Sequence, residues 1–252
     1  MARTLLVRGM LVGLVAGLVA FVVARLVGEG AVAEAIAFEG AQGQVHAAGT
    51  QAGAQEPELV SRTVQSTLGL LTATTVYGVA LGGLFALVVA FAGGRLGRLG
   101  ARATCAVMAL IGFLAVYLVP FLKYPPNPPA VGNHDTIDQR TALYAVTVAV
   151  SVLLATLAVR LGRDLAPRLG VWNAVLVAVG AYAVSVGVVM LLLPAINEVP
   201  GDFPATTLWS FRTGSIAVQL SIWATLGLAL GALVERDLNR SRNAPRVLDR
   251  VP

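Results

Sequence analysis

Residues 64–92 read VQSTLGLLTATTVYGVALGGLFALVVAFA, an unbroken tract without one Asp, Glu, Lys, Arg or His. A hydrocarbon core about 30 Å thick takes about 20 residues of α-helix to cross, so this tract is long enough to span a bilayer. Its apolar residues run on instead of alternating with polar ones, which excludes a strand of a membrane β-barrel. Lipid offers the backbone no hydrogen-bond partner, so the tract must satisfy its own N–H and C=O groups as a helix. Five further segments are comparably apolar: 4–27, 103–122, 141–161, 172–194 and 212–234. The expected fold is therefore all-α: a polytopic bundle of six transmembrane helices forming a single transmembrane domain over 1–252.

Composition agrees. Hydrophobic residues make up 57% of the 252 and charged residues 12%, against roughly 25% charged in a soluble domain. A net charge of +5 would suggest nucleic acid as a partner in a soluble chain. Here the charges fall between apolar runs, so they report topology; the expected partner is the lipid bilayer, and no nucleic acid is expected. The lone cysteine, Cys105, excludes a disulfide framework.

Thirteen of the eighteen Lys and Arg cluster at alternate ends of the runs: Arg3 and Arg8, then Arg95, Arg98 and Arg102, then Arg160, Arg163 and Arg168, then the tail 235–252 from Arg236 to Arg250. Cytoplasmic loops are enriched in Lys and Arg, which puts this set inside and both termini in the cytoplasm of a cell whose plasma (inner) membrane holds the chain. Nine of the thirteen acids lie at the opposite, outer ends. The first run has a competing reading as a signal peptide, with Ala31-Val32-Ala33 as the cleavage site. At about 20 residues it exceeds the 7–15 of a usual signal-peptide core, which favours a retained helix.

The outer loop 28–63 is the longest. Its start, Glu29 to Glu39, has Ala-rich helical character, and Gln42 to Gln55 reads as flexible Gly, Ala and Gln. The other outer loops are proline-rich. Lys123 to Pro129 cannot be helical, and Pro194, Pro200 and Pro204 interrupt the last outer loop. Three outer loops end in Arg-Thr just before a helix, at Arg62-Thr63, Arg140-Thr141 and Arg212-Thr213, a pattern that suggests three repeated helical hairpins. Glycines four apart, Gly9, Gly13 and Gly17, then Gly78 and Gly82, then Gly227 and Gly231, predict close backbone packing.

The membrane interior carries no carboxylate, lysine or histidine, which argues against a midplane proton relay and against an intramembrane hydrolase. No enzyme and no resident cofactor are expected. Thr72, Thr74, Thr75 and Tyr77 on the second helix, with Gln219, Ser221 and Thr225 on the sixth, either line a polar path or bond between helices. Arg25 snorkels to the interface or pairs with Glu29 one turn on. Candidate metal ligands all lie on the outer face: His134, Asp135 and Asp138 in one loop, Glu198 and Asp202 in the next, with Asn133 and Asn197 beside them. Imidazole with carboxylate suits a divalent transition metal. His46 reads as a solvated loop residue.

The stretch Val119-Pro120-Phe121-Leu122-Lys123-Tyr124-Pro125-Pro126-Asn127-Pro128-Pro129-Ala130-Val131-Gly132 resembles the signature of the predicted cobalt transporter subunit family CbtA. Arg62 to Tyr77, Asp135 to Tyr144, and Leu193 to Pro200 followed by Asp202-Phe203-Pro204-Ala205 resemble it too. The resemblance implies uptake of Co²⁺ for cobalamin synthesis, and a small partner subunit, CbtB, with one transmembrane helix and a His-rich end. Self-association into an oligomer is left open. With no P-loop for ATP, the driving force would be the membrane potential or another subunit. At about −100 mV a divalent cation gains roughly 4.6 kcal/mol on entry. The contrasting reading is a non-transporting scaffold or assembly subunit, which the absence of midplane charges fits equally well.

Overall fold

The computed structural model describes residues 2–49, 61–92, 99–129, 131–132 and 134–243. Arg95, Arg98, Arg246 and Arg250, the acids Glu56, Glu58 and Asp249, Ala130 and Asn133 of the loop 123–136, and residues 50–55 of the stretch expected to be flexible lie outside the described residues. So do the side chains of His46 and His134.

Among the described residues every secondary-structure element is a helix. In chain order the elements are α1 (Ala2–Val27), α2 (Glu29–Gly49), α3 (Arg62–Ala92), α4 (Ala101–Lys123), α5 (Ile137–Leu192) and α6 (Ala205–Asn243). All but α2 are long and apolar enough to cross a membrane. The six expected spans fall within these five elements, because 141–161 and 172–194 share α5. That helix is too long to cross once, at 56 residues and about 1.5 Å per residue. It breaks at Gly170, whose φ of 76° and ψ of 158° are closed to any residue with a Cβ. The inner loop expected between the fourth and fifth spans is thus a single residue, and 162–169 prolong the helix instead. The arms 137–169 and 171–192 run back against each other. The Ser151 and Tyr182 hydroxyls meet at 2.8 Å, and a Cβ on Gly162 would stand 3.2 Å from that of Ala178.

The first outer loop is helical from Glu29 to Glu39 as expected, but the helix runs on to Gly49, through the part from Gln42 expected to be flexible. Alanine has the strongest helix propensity of any residue, and the alanines supply a packing face besides: Ala31 and Ala35 are buried. The proline boundaries fall as expected, with α4 ending at Lys123 and α6 starting directly after Pro204.

Two π-helical turns interrupt the spans, Gln65–Gly69 in α3 and Phe113–Leu118 in α4. The second ends just ahead of Pro120. A proline ring collides with the carbonyl four residues back and cannot donate to it; widening the preceding turn relieves that collision without ending the helix.

The contacts divide the chain into two compact units. The first comprises Met1–Val22, Thr63–Leu110 and Leu220–Pro252. Its framework is an antiparallel glycine zipper between α1 and α3. A Cβ on Gly9 would come within 2.5 Å of the Gly82 carbonyl, one on Gly17 within 2.5 Å of the Thr74 carbonyl, and one on Gly13 would collide with Gly78. Gly227 and Gly231 of α6 pack likewise on Ala109 and Arg102 of α4. Without a hydrophobic drive between helices in lipid, such close approach supplies the dispersion contact that holds them. The hydroxyls of Thr74, Thr75 and Thr225 donate to carbonyls of their own helices, at 3.0, 2.6 and 2.7 Å. The donor hydrogens of these three are thus spent within their own helices. Arg8 pairs with Asp237, and Arg102 with Glu235 at 2.5 Å.

The second unit comprises Val23–Arg62 and Ile111–Gln219. It contains α2, both arms of α5, the proline-rich loops and the start of α6. A small core of Ala35, Val131 and Phe203 ties α2 to the two loops, with Phe38 edge-on to Phe203 at 5.1 Å.

Candidate functional site

The second unit holds a cavity of about 330 Å³. Four separate stretches of the chain line it. They are Tyr124 to Asn127 in the loop after α4, Ile137 to Tyr144 in the first turns of α5, Ile196 to Val199 in the loop after α5, and Arg212 in α6. At about 300 Å³ and above, a cavity is large enough to hold a small organic ligand.

Each wall is fixed by polar contacts between the loops. Proline denies the loop after α4 a helical ladder, so its backbone carbonyls turn to side chains. Arg212 donates to the Asn127 side-chain oxygen at 3.0 Å and to the Pro126 carbonyl at 3.4 Å. Tyr124 donates to the Pro194 carbonyl at 2.8 Å, and Lys123 to the Met190 carbonyl at 2.8 Å. Desolvation raises the Tyr124 phenol above its ordinary value, so it remains a donor at any physiological pH.

Arg140 projects from the first turns of α5 to Glu198, at 3.1 Å. The Glu198 side chain is only 12% exposed, and Thr136 also donates to it. The guanidinium of Arg140 lies against Gly132, where a Cβ would come within 2.8 Å of it. Gly132 also sits at φ 136°, so the last residue of the proline-rich signature must lack a side chain on two counts.

The three Arg-Thr positions are thereby explained individually. Arg62 pairs with Glu29 at the start of α2, and Arg25 approaches the same carboxylate at 3.9 Å. Arg140 reaches across to the loop after α5, and Arg212 to the loop after α4. Arg62 stands at the start of α3 and Arg140 in the first turn of α5, whereas Arg212 lies two turns inside α6, which begins at Ala205 and not after the Arg-Thr pair; each arginine ties its helix to another segment.

The expected metal ligands meet different surroundings. Glu198 is engaged by Arg140 and Thr136. Asp202 accepts from Gln42 of α2 at 2.6 Å. Asp135 and Asp138 are exposed, and Asp138 lies in the first turn of α5, where a negative charge complements the helix dipole. Asn197 is exposed at the cavity rim. Among the described residues, no three His, Cys, Asp or Glu side chains come close enough together to hold a metal ion. What the residues alone did not reveal is the role of Arg140, Arg212, Asn127 and Tyr124 as the cavity's polar wall. The Arg-Thr repeat was the signal that pointed at two of them. Ser151 and Tyr182 were likewise not singled out.

Compared with known proteins, the chain matches the family model described as "Probable cobalt transporter subunit (CbtA)" over residues 2–235, a span that includes α1. No curated protein and no solved structure matches it.

Proposed function

The chain belongs to the CbtA family of probable cobalt transporter subunits, and from that premise we propose that it is the membrane-embedded subunit of a Co²⁺ uptake system serving cobalamin synthesis. Membership makes it a component of a metal transporter, and its long apolar helices make it a multi-pass membrane protein. The observation that carries the reading is the family match over nearly the whole chain. The meeting of three of the four signature-like stretches, those within 119–132, 135–144 and 193–205, at the cavity wall supports it, because residues recruited from separate segments mark a place where the chain handles something. Its role is passage of a cation, not catalysis.

In this reading the acidic loops face outward and both termini lie in the cytoplasm of a cell bounded by its inner membrane. Asp135, Asp138, Glu198 and Asp202, with His134, surround the entry. Asp135, Asp138 and Asp202 raise the local cation concentration rather than chelate, while Glu198 is already paired with Arg140. Energy comes from the membrane potential, roughly 4.6 kcal/mol for a divalent cation at about −100 mV. Soft-ligand capture belongs to a CbtB-like one-helix partner with a His-rich end. The first helix is retained: its glycine face is locked into α3, and cleavage would strip the first unit of that contact.

Cells deleted for their own cobalt uptake and expressing this chain with its one-helix partner should accumulate radioactive cobalt above the deletion strain. Equal accumulation would overturn the proposal. Orientation is open to a separate check, because buried Cys105 leaves the surface free for introduced cysteines. A cysteine at Asp202 should react with an impermeant maleimide added outside, and one at Arg160 should not.

A further inference from the structure

The charge on the cavity wall does not suit a bare dication. Two guanidiniums line the cavity, Arg140 and Arg212, against one carboxylate, Glu198. Glu198 is neutralised by Arg140. Arg212 has only neutral partners, Asn127 and Pro126, and no carboxylate pairs with it among the described residues. The wall is thus positive by one charge. Among its neutral groups, the Asn127 side-chain oxygen is occupied by Arg212, which leaves its amide nitrogen to donate, while Thr141, Tyr144 and Asn197 can donate or accept. A hydrated divalent cation finds net repulsion here. An anion finds a guanidinium, whose planar fork matches a carboxylate in two parallel hydrogen bonds.

The rest of the lining decides the kind of anion. Proline, Ile137, Val199 and tyrosine rings supply apolar wall beside the arginines, which a ligand with a carbon body can cover and inorganic phosphate cannot. We propose that this cavity is a binding site for a small organic polycarboxylate, anchored by the Arg212 guanidinium. Such acids are ordinary solution ligands of divalent metals, so the inference deepens the transport reading and rests on it for the identity of the cargo: the metal reaches this vestibule as its carboxylate complex.

The test is a calorimetric titration of the purified full chain in lipid nanodiscs, at low ionic strength, with sodium citrate and no metal. Saturable citrate binding is expected, and sodium phosphate should give at least tenfold weaker binding. Arg212→Gln should weaken citrate at least tenfold, since it removes a charge-assisted pair. Arg212→Lys should keep part of the affinity. Glu198→Gln should act in the opposite sense and tighten citrate on the order of fivefold by unmasking Arg140, which general damage to the fold cannot do. Absence of saturable citrate binding, phosphate binding as tightly as citrate, or Arg212→Gln binding like the unsubstituted chain would each overturn the proposal. Because no metal is present, that failure would leave cobalt transport standing, and a failure of cobalt uptake in cells would leave the citrate site standing.

Discussion

Substituting Arg140 by glutamine leaves Glu198 in place without its counter-charge. At 3.1 Å and an effective dielectric of about 20, the pair's Coulomb attraction is about 5 kcal/mol before desolvation is subtracted. Breaking a fully buried pair by removing one member costs about 3–5 kcal/mol. Glu198 is 12% exposed but Arg140 is 30% exposed, so water screens part of the interaction. A loss of about 2 kcal/mol is expected. The reverse substitution, Glu198→Gln, leaves behind the more exposed partner, which can hydrate, and should cost about 1 kcal/mol. The double variant should then be no worse than Arg140→Gln alone, a coupling of about 1 kcal/mol. The assay is unfolding of the purified chain from mixed micelles by SDS titration, followed by the fluorescence of Trp172, Trp209 and Trp223. Losses that simply add, to within about 0.5 kcal/mol, or a silent Arg140→Gln, would refute the claim that this pair fixes the cavity wall.

Further expectations follow from the glycines and the first helix. Gly13→Leu should abolish the monodisperse peak in detergent size-exclusion chromatography, because its side chain would occupy the Gly78 backbone. In contrast, Gly40→Ala on α2 meets nothing within 4 Å and should raise stability by about 0.5–1 kcal/mol in the SDS titration. Gly170→Ala and Gly132→Ala, both at positive φ, should each cost about 1–3 kcal/mol, with only the latter also weakening citrate binding through Arg140. Mass spectrometry of the protein purified from membranes should give the full 26.0 kDa; a species shortened to the Ala31-Val32-Ala33 region would contradict retention of α1.

The spans were legible in the sequence because lipid imposes the simplest rule on a chain: a long apolar run must be a helix. Residues 64–92 needed nothing else. The glycine zipper was legible as well, since spacing by four puts Gly9, Gly13 and Gly17 on one face whatever they meet. Two features escaped for local reasons. The Gly- and Gln-containing continuation of α2 looks flexible by composition, yet the alanines of its first turns bury against the loops and hold it in register. The turn at Gly170 hides behind a helical run of Leu, Ala and Arg, and only the backbone angle shows that one residue turns the chain. The cavity escaped for a different reason. Arg140 and Glu198 are 58 positions apart, and Arg212 and Asn127 are 85 apart. Both Glu198 and Asp135 read as ligands because carboxylates in an outer loop are chemically competent ligands; which of them is already neutralised by an arginine depends on packing that no spacing rule reports.

The central claim is passage of a divalent cation, and it is tested most directly in liposomes. Liposomes holding the chain together with the proposed one-helix partner would enclose a cobalt-quenched dye, and a potassium diffusion potential would be set inside-negative. The account predicts quenching on addition of cobalt chloride outside, at a rate that rises with the imposed potential and collapses when the potential is dissipated. No quenching above protein-free liposomes, with the chain monodisperse and folded, would contradict it.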